Sequence, residues 1–204
     1  MAVYEIPAYT TWFLRSVLIK LHTHEKVICL SFDDGPDPES TPSILQILEK
    51  YNIKAIFFCI GERGKKFPAL MSLLKDQGHI IGNHSFSHYD GFRTSSEKYL
   101  NDIELAADIT SNIFFRPPYG RMRPDQYLNL RQKYKIILWH FLADDYREKK
   151  NDKKTAVELL KKLTPGSIVA LHDKPVSLKR SFLEEFITGC LNSGYSFVLP
   201  DYKS

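Results

Sequence analysis

About seven short apolar runs recur along this 204-residue chain, and stretches of helical period separate them. That alternation narrows the fold more than any other feature. Strands that alternate with helices pair in parallel, because a helical crossover brings the chain back to the same end of the sheet. The runs span residues 26–30, 55–60, 79–82, 113–115, 135–139, 167–171 and 195–199. Helices are expected near residues 41–51, 67–76, 95–110, 124–133, 155–163 and 181–191. Thr41 and Pro42 suit the start of the first, Ile44, Leu45 and Leu48 give it an apolar stripe, and Gly78 ends the second. A closed or nearly closed barrel and an open doubly wound sheet both fit this order. A dinucleotide fingerprint is excluded, since Asp33-Asp34-Gly35-Pro36 follows the first run where a Gly-rich turn would be needed.

A hydrophobic fraction of 43% over this length supports one domain with a sizeable core. Residues 26–204 are read as that domain and residues 1–25 as an extension packing on it. Within the extension, residues 9–21 suit a short amphipathic helix with Trp12, Phe13, Val17 and Leu21 inward, and peripheral membrane contact is the alternative. Glu5, Pro7, Arg15 and Lys20 break any secretory-signal pattern, and no window approaches a transmembrane length. The expectation is a cytoplasmic monomer, with cell-envelope association as the alternative. A net charge of +4 without a basic, aromatic-interleaved stripe points away from nucleic acid. Residues 147–154 read as a solvated charged loop. Cys29, Cys59 and Cys190 lie in apolar runs, as reduced buried thiols do, and no Cys-x-x-Cys suggests a structural zinc site.

The chemistry-bearing residues collect where the runs end. Asp33 and Asp34 follow the first, His84 and His88 the third, Arg116 and Tyr119 the fourth, Asp144 and Asp145 the fifth, and His172 and Asp173 the sixth. In a parallel sheet all of these reach one rim. Adjacent strand residues face opposite ways, so one aspartate can hold a metal while the other handles a proton. His84 and His88 are four apart and share a face if the backbone there is helical. Two histidines and one carboxylate leave a coordination position open, as a catalytic zinc site requires. Arg116, before Pro117-Pro118, fits either a surface ion pair or a partner that orients a carboxylate. His172 fits a satisfied core histidine or a general acid. His140 adjoins the rim with either role open, whereas His22, His24 and His79 have no convergent neighbours.

Ser31-Phe32-Asp33-Asp34-Gly35-Pro36, His84-Ser85-Phe86-Ser87-His88, Arg116-Pro117-Pro118-Tyr119-Gly120 and Leu171-His172-Asp173 occur in this order. Together they resemble four of the five motifs of the polysaccharide deacetylases, the NodB-homology domain of carbohydrate esterase family four. The resemblance implies a distorted (β/α) barrel of about seven parallel strands and a divalent metal, usually zinc, with cobalt or another divalent ion as alternatives. It implies Asp34, His84 and His88 as metal ligands, Asp33 as general base oriented by Arg116, and His172 as general acid. The Tyr119 N–H would help hold an oxyanion, and Tyr119, Leu171, Trp139 and Tyr146 would line the substrate cleft. The fourth motif departs from the usual Asp-x-x-Asp-Trp: Leu142 stands at the first acidic position and Tyr146 at the Trp position. Asp145 still matches the aspartate that partners the acid histidine. The departure bears on the cleft wall, not on the metal or the base.

What the resemblance implies is a metal-dependent hydrolase of carbon–nitrogen bonds other than peptide bonds. It would remove N-acetyl groups from N-acetylglucosamine-containing glycans such as peptidoglycan, chitin or their oligomers. The alternatives are an O-acetyl xylan esterase or other small-amide hydrolase on the same site and, from another class, a catalytically silent carbohydrate-binding domain.

Overall fold

The computed structural model describes residues 4–5, 17–143, 152–175 and 180–201. Its strands are β1 (Tyr4–Glu5), β2 (Val17–Leu18), β3 (Val27–Asp33), β4 (Ile56–Cys59), β5 (Ile80–Asn83), β6 (Phe114–Phe115), β7 (Lys135–Ile137), β8 (Phe141–Leu142), β9 (Ser167–His172) and β10 (Ser196–Phe197). The helices are α1 (Ser40–Lys50), α2 (Gly61–Lys66), α3 (Pro68–Asp76), α4 (Ser96–Ala107), α5 (Pro124–Leu130), α6 (Asp152–Lys162) and α7 (Arg180–Asn192).

The strands form one sheet in the order β1-β8-β9-β3-β4-β5-β6-β7-β2, and β10 pairs with the start of β3. Among these strands every pairing is parallel except that of β1 with β8. A single stretch curls the sheet round: its first part, β7, pairs with β6, and its second, β8, pairs with β9 on the far side. Lys20, just after β2, adds an antiparallel bridge to Ser167. The result is a distorted (β/α) barrel rather than an open doubly wound sheet.

Period-two alternation divides the side chains between two environments. Cys29, Ile56, Phe58, Ile80, Phe114, Ile137 and Ile168 meet inside the curl. Their neighbours Ile28, Leu30, Phe32, Val169 and Leu171 face outward and pack with Ile44, Leu48, Leu183 and Phe186 of α1 and α7. Phe115 and Ile136 pack with Tyr99, Ile103 and Leu130 of α4 and α5. All seven residues of β3 are buried, as expected of a strand covered on both faces.

The structure departs from the sequence expectations in several places. β3 continues to Asp33 because Ser31, Phe32 and Asp33 pair with β4 and β9 at once. Val17–Leu18 is a strand on β7, not the end of a helix, so tertiary pairing overrides the local amphipathic pattern there. Residues 9–16 of that proposed helix lie outside the described residues. The stretch read as an extension therefore contributes β1 and β2 to the sheet. The short α2 was not expected, because two of its six residues are glycine and it has no apolar stripe. The charged stretch 147–154 lies mostly outside the described residues, and its end is already helical in α6.

The three cysteines are free and buried. Burial pushes the Cys29 and Cys190 thiols up to about 12, which leaves them unreactive at neutral pH. Among the described residues no helix is long and apolar enough to cross a membrane.

Candidate active site

Parallel register brings the carboxyl ends of the strands together. Asp33 ends β3, with Phe58 of β4 and His172 of β9 as its strand partners. Asn83 ends β5 opposite Phe115 of β6, so His84 and Arg116 leave their strands side by side. The Arg116 N–H donates to the Asn83 carbonyl at 3.0 Å.

Arg116 is fully buried, which rules out the surface ion pair as its role. Its Nη1 donates to Asp33 Oδ1 at 2.6 Å and to Ser31 Oγ at 2.9 Å. Its Nε donates to the Ile137 carbonyl at 3.1 Å, and its Nη2 to the Leu138 carbonyl at 2.8 Å. The guanidinium lies 4.1 Å from the Phe58 ring centroid. A charge removed from water is stable only when paired and hydrogen-bonded, and here four acceptors and an aromatic face supply both conditions. Ser31 in turn donates to the Val169 carbonyl at 2.9 Å, which ties this network to β9.

Asp34 lies on the other side of the turn, nearly buried, with a left-handed backbone (φ 77°). Its Oδ1 is 3.5 Å from His84 Nε2 and 3.0 Å from His88 Nε2. Ligands at tetrahedral positions about 2.0–2.1 Å from a zinc ion are separated by about 3.3 Å, so these spacings suit one. The His84 Nδ1 is 2.7 Å from the Arg116 carbonyl and can donate only as N–H, which leaves the Nε2 lone pair facing Asp34. Oδ1 is buried and, despite the two close imidazoles, accepts no aligned hydrogen bond among the described residues. An orphaned carboxylate oxygen facing imidazole lone pairs is what a divalent cation would satisfy. Asp34, His84 and His88 are the three-residue group among the described residues that could hold one. Burial acts to raise the Asp34 carboxyl, but His88, His84 and Lys174 hold it well below the usual carboxylate range. Burial lowers His84 to about 4 against the opposing pull of Asp33 and Asp34, so its imidazole is neutral and able to coordinate at pH 7.

The two histidines do not sit on a helix, contrary to the condition under which their spacing was read. Residues 84–88 form a loop in which Ser85 and His88 take positive φ. Side chains that do not face the cleft fold it. Asp102 Oδ2 accepts from the N–H groups of Phe86 and Ser87 at 3.0 and 2.9 Å. Asn83 Oδ1 accepts from the Ser85 N–H at 2.8 Å, and Ser85 Oγ from the His88 N–H at 2.9 Å. The first N–H groups of α2 donate to the Ser85 and Phe86 carbonyls at 2.9 and 3.0 Å. The imidazole centroids come to 5.0 Å apart as a result.

Tyr119, also at positive φ, sets its ring 4.7 Å from His88 and is exposed, so it stands at the rim. Trp139 closes over the same turn, where Gly120 (φ 68°) has no space for a side chain: a Cβ would lie 2.4 Å from the indole. Leu171 is placed elsewhere than expected. It is fully buried on the helix side of β9 with Phe32, while Ala170 and His172 share the Ser31 and Asp33 side. His140 lies toward the start of β9, its Nδ1 3.0 Å from Ser167 Oγ, and so away from the rim. His79 accepts the Ala55 N–H at 3.2 Å and packs on Phe57, a satisfied core histidine. Asp144, Asp145 and Tyr146 lie outside the described residues.

Two neighbours of the site went unassigned in the sequence. Asp173 is fully buried beneath the Asp33–Asp34 turn. It accepts from Ser40 Oγ at 2.5 Å and Thr41 Oγ1 at 2.6 Å, and its own N–H donates to the Asp33 carbonyl at 2.7 Å. Burial pushes its carboxyl up to about 6, opposed by those two hydroxyls. A buried aspartate just past β9 needs donors, and Ser40-Thr41 at the start of α1 was the available signal. Gly35 crosses so closely that a Cβ would lie 2.2 Å from Asp173 Oδ2. Gly35→Ala is expected to cost about 1–3 kcal/mol, read as a lower urea midpoint, through that overlap. Lys174 is the second such residue, and its Nζ is 2.5 Å from Asp34 Oδ2.

Known proteins resemble this chain in sequence and in fold. Residues 20–138 match the family model described as polysaccharide deacetylase. A peptidoglycan-N-acetylglucosamine deacetylase of Bacillus cereus is 31% identical over 204 residues, covering 95% of this chain and 92% of the relative. A second from the same organism is 35% identical over 155 residues, covering 72% of this chain and 56% of that relative's length. The crystal structure of a peptidoglycan N-acetylglucosamine deacetylase in complex with 4-naphthalen-1-yl-N-oxidanyl-benzamide superposes with a TM-score of 0.87 at 29% identity, over 93% of this chain and 94% of that one.

Proposed function

The chain belongs to the polysaccharide deacetylase family, and on that premise we propose that it hydrolyses the acetamide of N-acetylglucosamine units in peptidoglycan or a related glycan, in a metal-dependent reaction. The observation that carries this reading is the pairing of two differently served aspartates. Asp34 Oδ1 faces the Nε2 atoms of His84 and His88, while Asp33 is clamped by the buried Arg116. The similarity to relatives named as peptidoglycan N-acetylglucosamine deacetylases supports the choice of glycan.

A divalent ion held by Asp34, His84 and His88, zinc being the ion best suited to this donor set, would polarise the acetyl carbonyl and acidify the attacking water. Asp33, held in orientation by Arg116, takes a proton from that water as its oxygen adds to the carbonyl carbon. The Tyr119 N–H donates to the oxyanion that develops. His172, opposite Asp33 in the strand register, gives a proton to the leaving amine as the C–N bond breaks. One water is consumed, and acetate and a free amino sugar are released. Asp145 is assigned the role of favouring the charged form of His172.

The test is acetate release from a panel of acetylated glycans, with chelator and with metal restored. Release from peptidoglycan or chitin oligomers that stops on chelation and returns with zinc is expected. Release from acetylated xylan alone would assign the site to ester hydrolysis instead. No release from any member would leave a carbohydrate-binding role.

A further inference from the structure

The two oxygens of Asp34 have different neighbours. Oδ1 faces His84 and His88, whereas Oδ2 meets the Lys174 ammonium at 2.5 Å. The lysine reaches it from the rim, its side chain 39% exposed against 5% for Asp34. Asp34 is the one carboxylate in the proposed ligand set, since both other members are imidazoles. Lys174 therefore cancels the ligand set's only formal negative charge, and it does so at contact distance. The neighbouring Asp33 adds nothing to the balance, because Arg116 already pairs with it.

We propose that Lys174 is a positioning residue that tunes the metal centre. It shares the Asp34 carboxylate with the metal through the opposite oxygen and loosens the ion's hold. Two physical effects give the sign. A positive charge beside the anionic ligand repels a divalent ion, and ligand charge count sets affinity in oxygen-containing sites. The inference rests on Asp34, His84 and His88 being the metal ligands.

Zinc affinity, measured at fixed pH by competition with a chromogenic chelator, tests it on the full chain. Lys174→Met is expected to bind zinc about tenfold more tightly than wild type, in the lower part of the range that outer partners of metal ligands command. Lys174→Arg, which keeps the charge, is expected to return the wild-type affinity. Lys174→Gln provides the same reading should the methionine variant not fold. Unchanged or weaker binding by the neutral variants, at wild-type melting temperature, overturns the proposal. His84→Ala is the control for the underlying site. If wild type binds no more zinc than that variant, the metal assignment fails rather than the role of Lys174.

Discussion

Asp33→Asn is expected to lower acetate release by about 10²–10⁴-fold, the usual contribution of a positioned general base, with zinc binding kept near the wild-type level. The amide is isosteric with the carboxyl, and its carbonyl oxygen can still accept from Arg116 Nη1, which now lies 2.6 Å from Oδ1. The turn should therefore hold its shape. What disappears is the ability to take a proton. Asp33 is outside the Asp34–His84–His88 group, so a chelator titration should separate the two aspartates. Wild-type turnover in this variant would end the assignment of Asp33 as base. Loss of zinc would mean that its carboxylate belongs to the ligand set.

Arg116→Met is expected to cost about 3–5 kcal/mol of stability, the usual penalty for removing one partner of a buried ion pair. A domain of this kind is stable by only about 5–15 kcal/mol, so the urea transition should move far down. The methionine fills much of the volume beside Phe58 but leaves Asp33 charged and unpaired. It also strips donors from Ser31 and from the Ile137 and Leu138 carbonyls. Combining it with Asp33→Asn should recover part of the loss, because the double variant no longer buries an uncompensated charge. A midpoint within the scatter of wild type would show that the pair contributes little to the fold.

Alternating apolar runs were enough to read a parallel α/β order, and strand polarity was enough to gather Asp33, Asp34, His84, His88, Arg116 and His172 at one end. What escaped the sequence depended on contacts between distant segments. The curl of the sheet needs β7 and β8 to pair on opposite sides, which no local pattern encodes. Val17–Leu18 carries a helix-compatible pattern but is taken by the edge of β7. Leu171 ends an apolar run, and only the register with Phe32 shows that it turns toward the helices. The His84–His88 spacing was read as a shared helical face, which the structure does not have. A loop held by Asp102 and Asn83, not a helical turn, brings them together. The division of labour between Asp33 and Asp34 came from motif resemblance; in the structure the two carboxylates have different partners, Arg116 for Asp33 and the two histidines for Asp34.

The loops of the site are anchored from underneath. Asn83, Asp102 and Asp173, with Ser40 and Thr41, are buried and hold the backbone of the reactive residues from the core side, whereas Tyr119 and Lys174 stand at the mouth. Support and exposure are thus divided between two layers of the same rim. Substitutions at the mouth leave in place the buried hydrogen bonds that fold the turns beneath it. On such a foundation the rim can vary in sequence while the backbone that carries it keeps its shape.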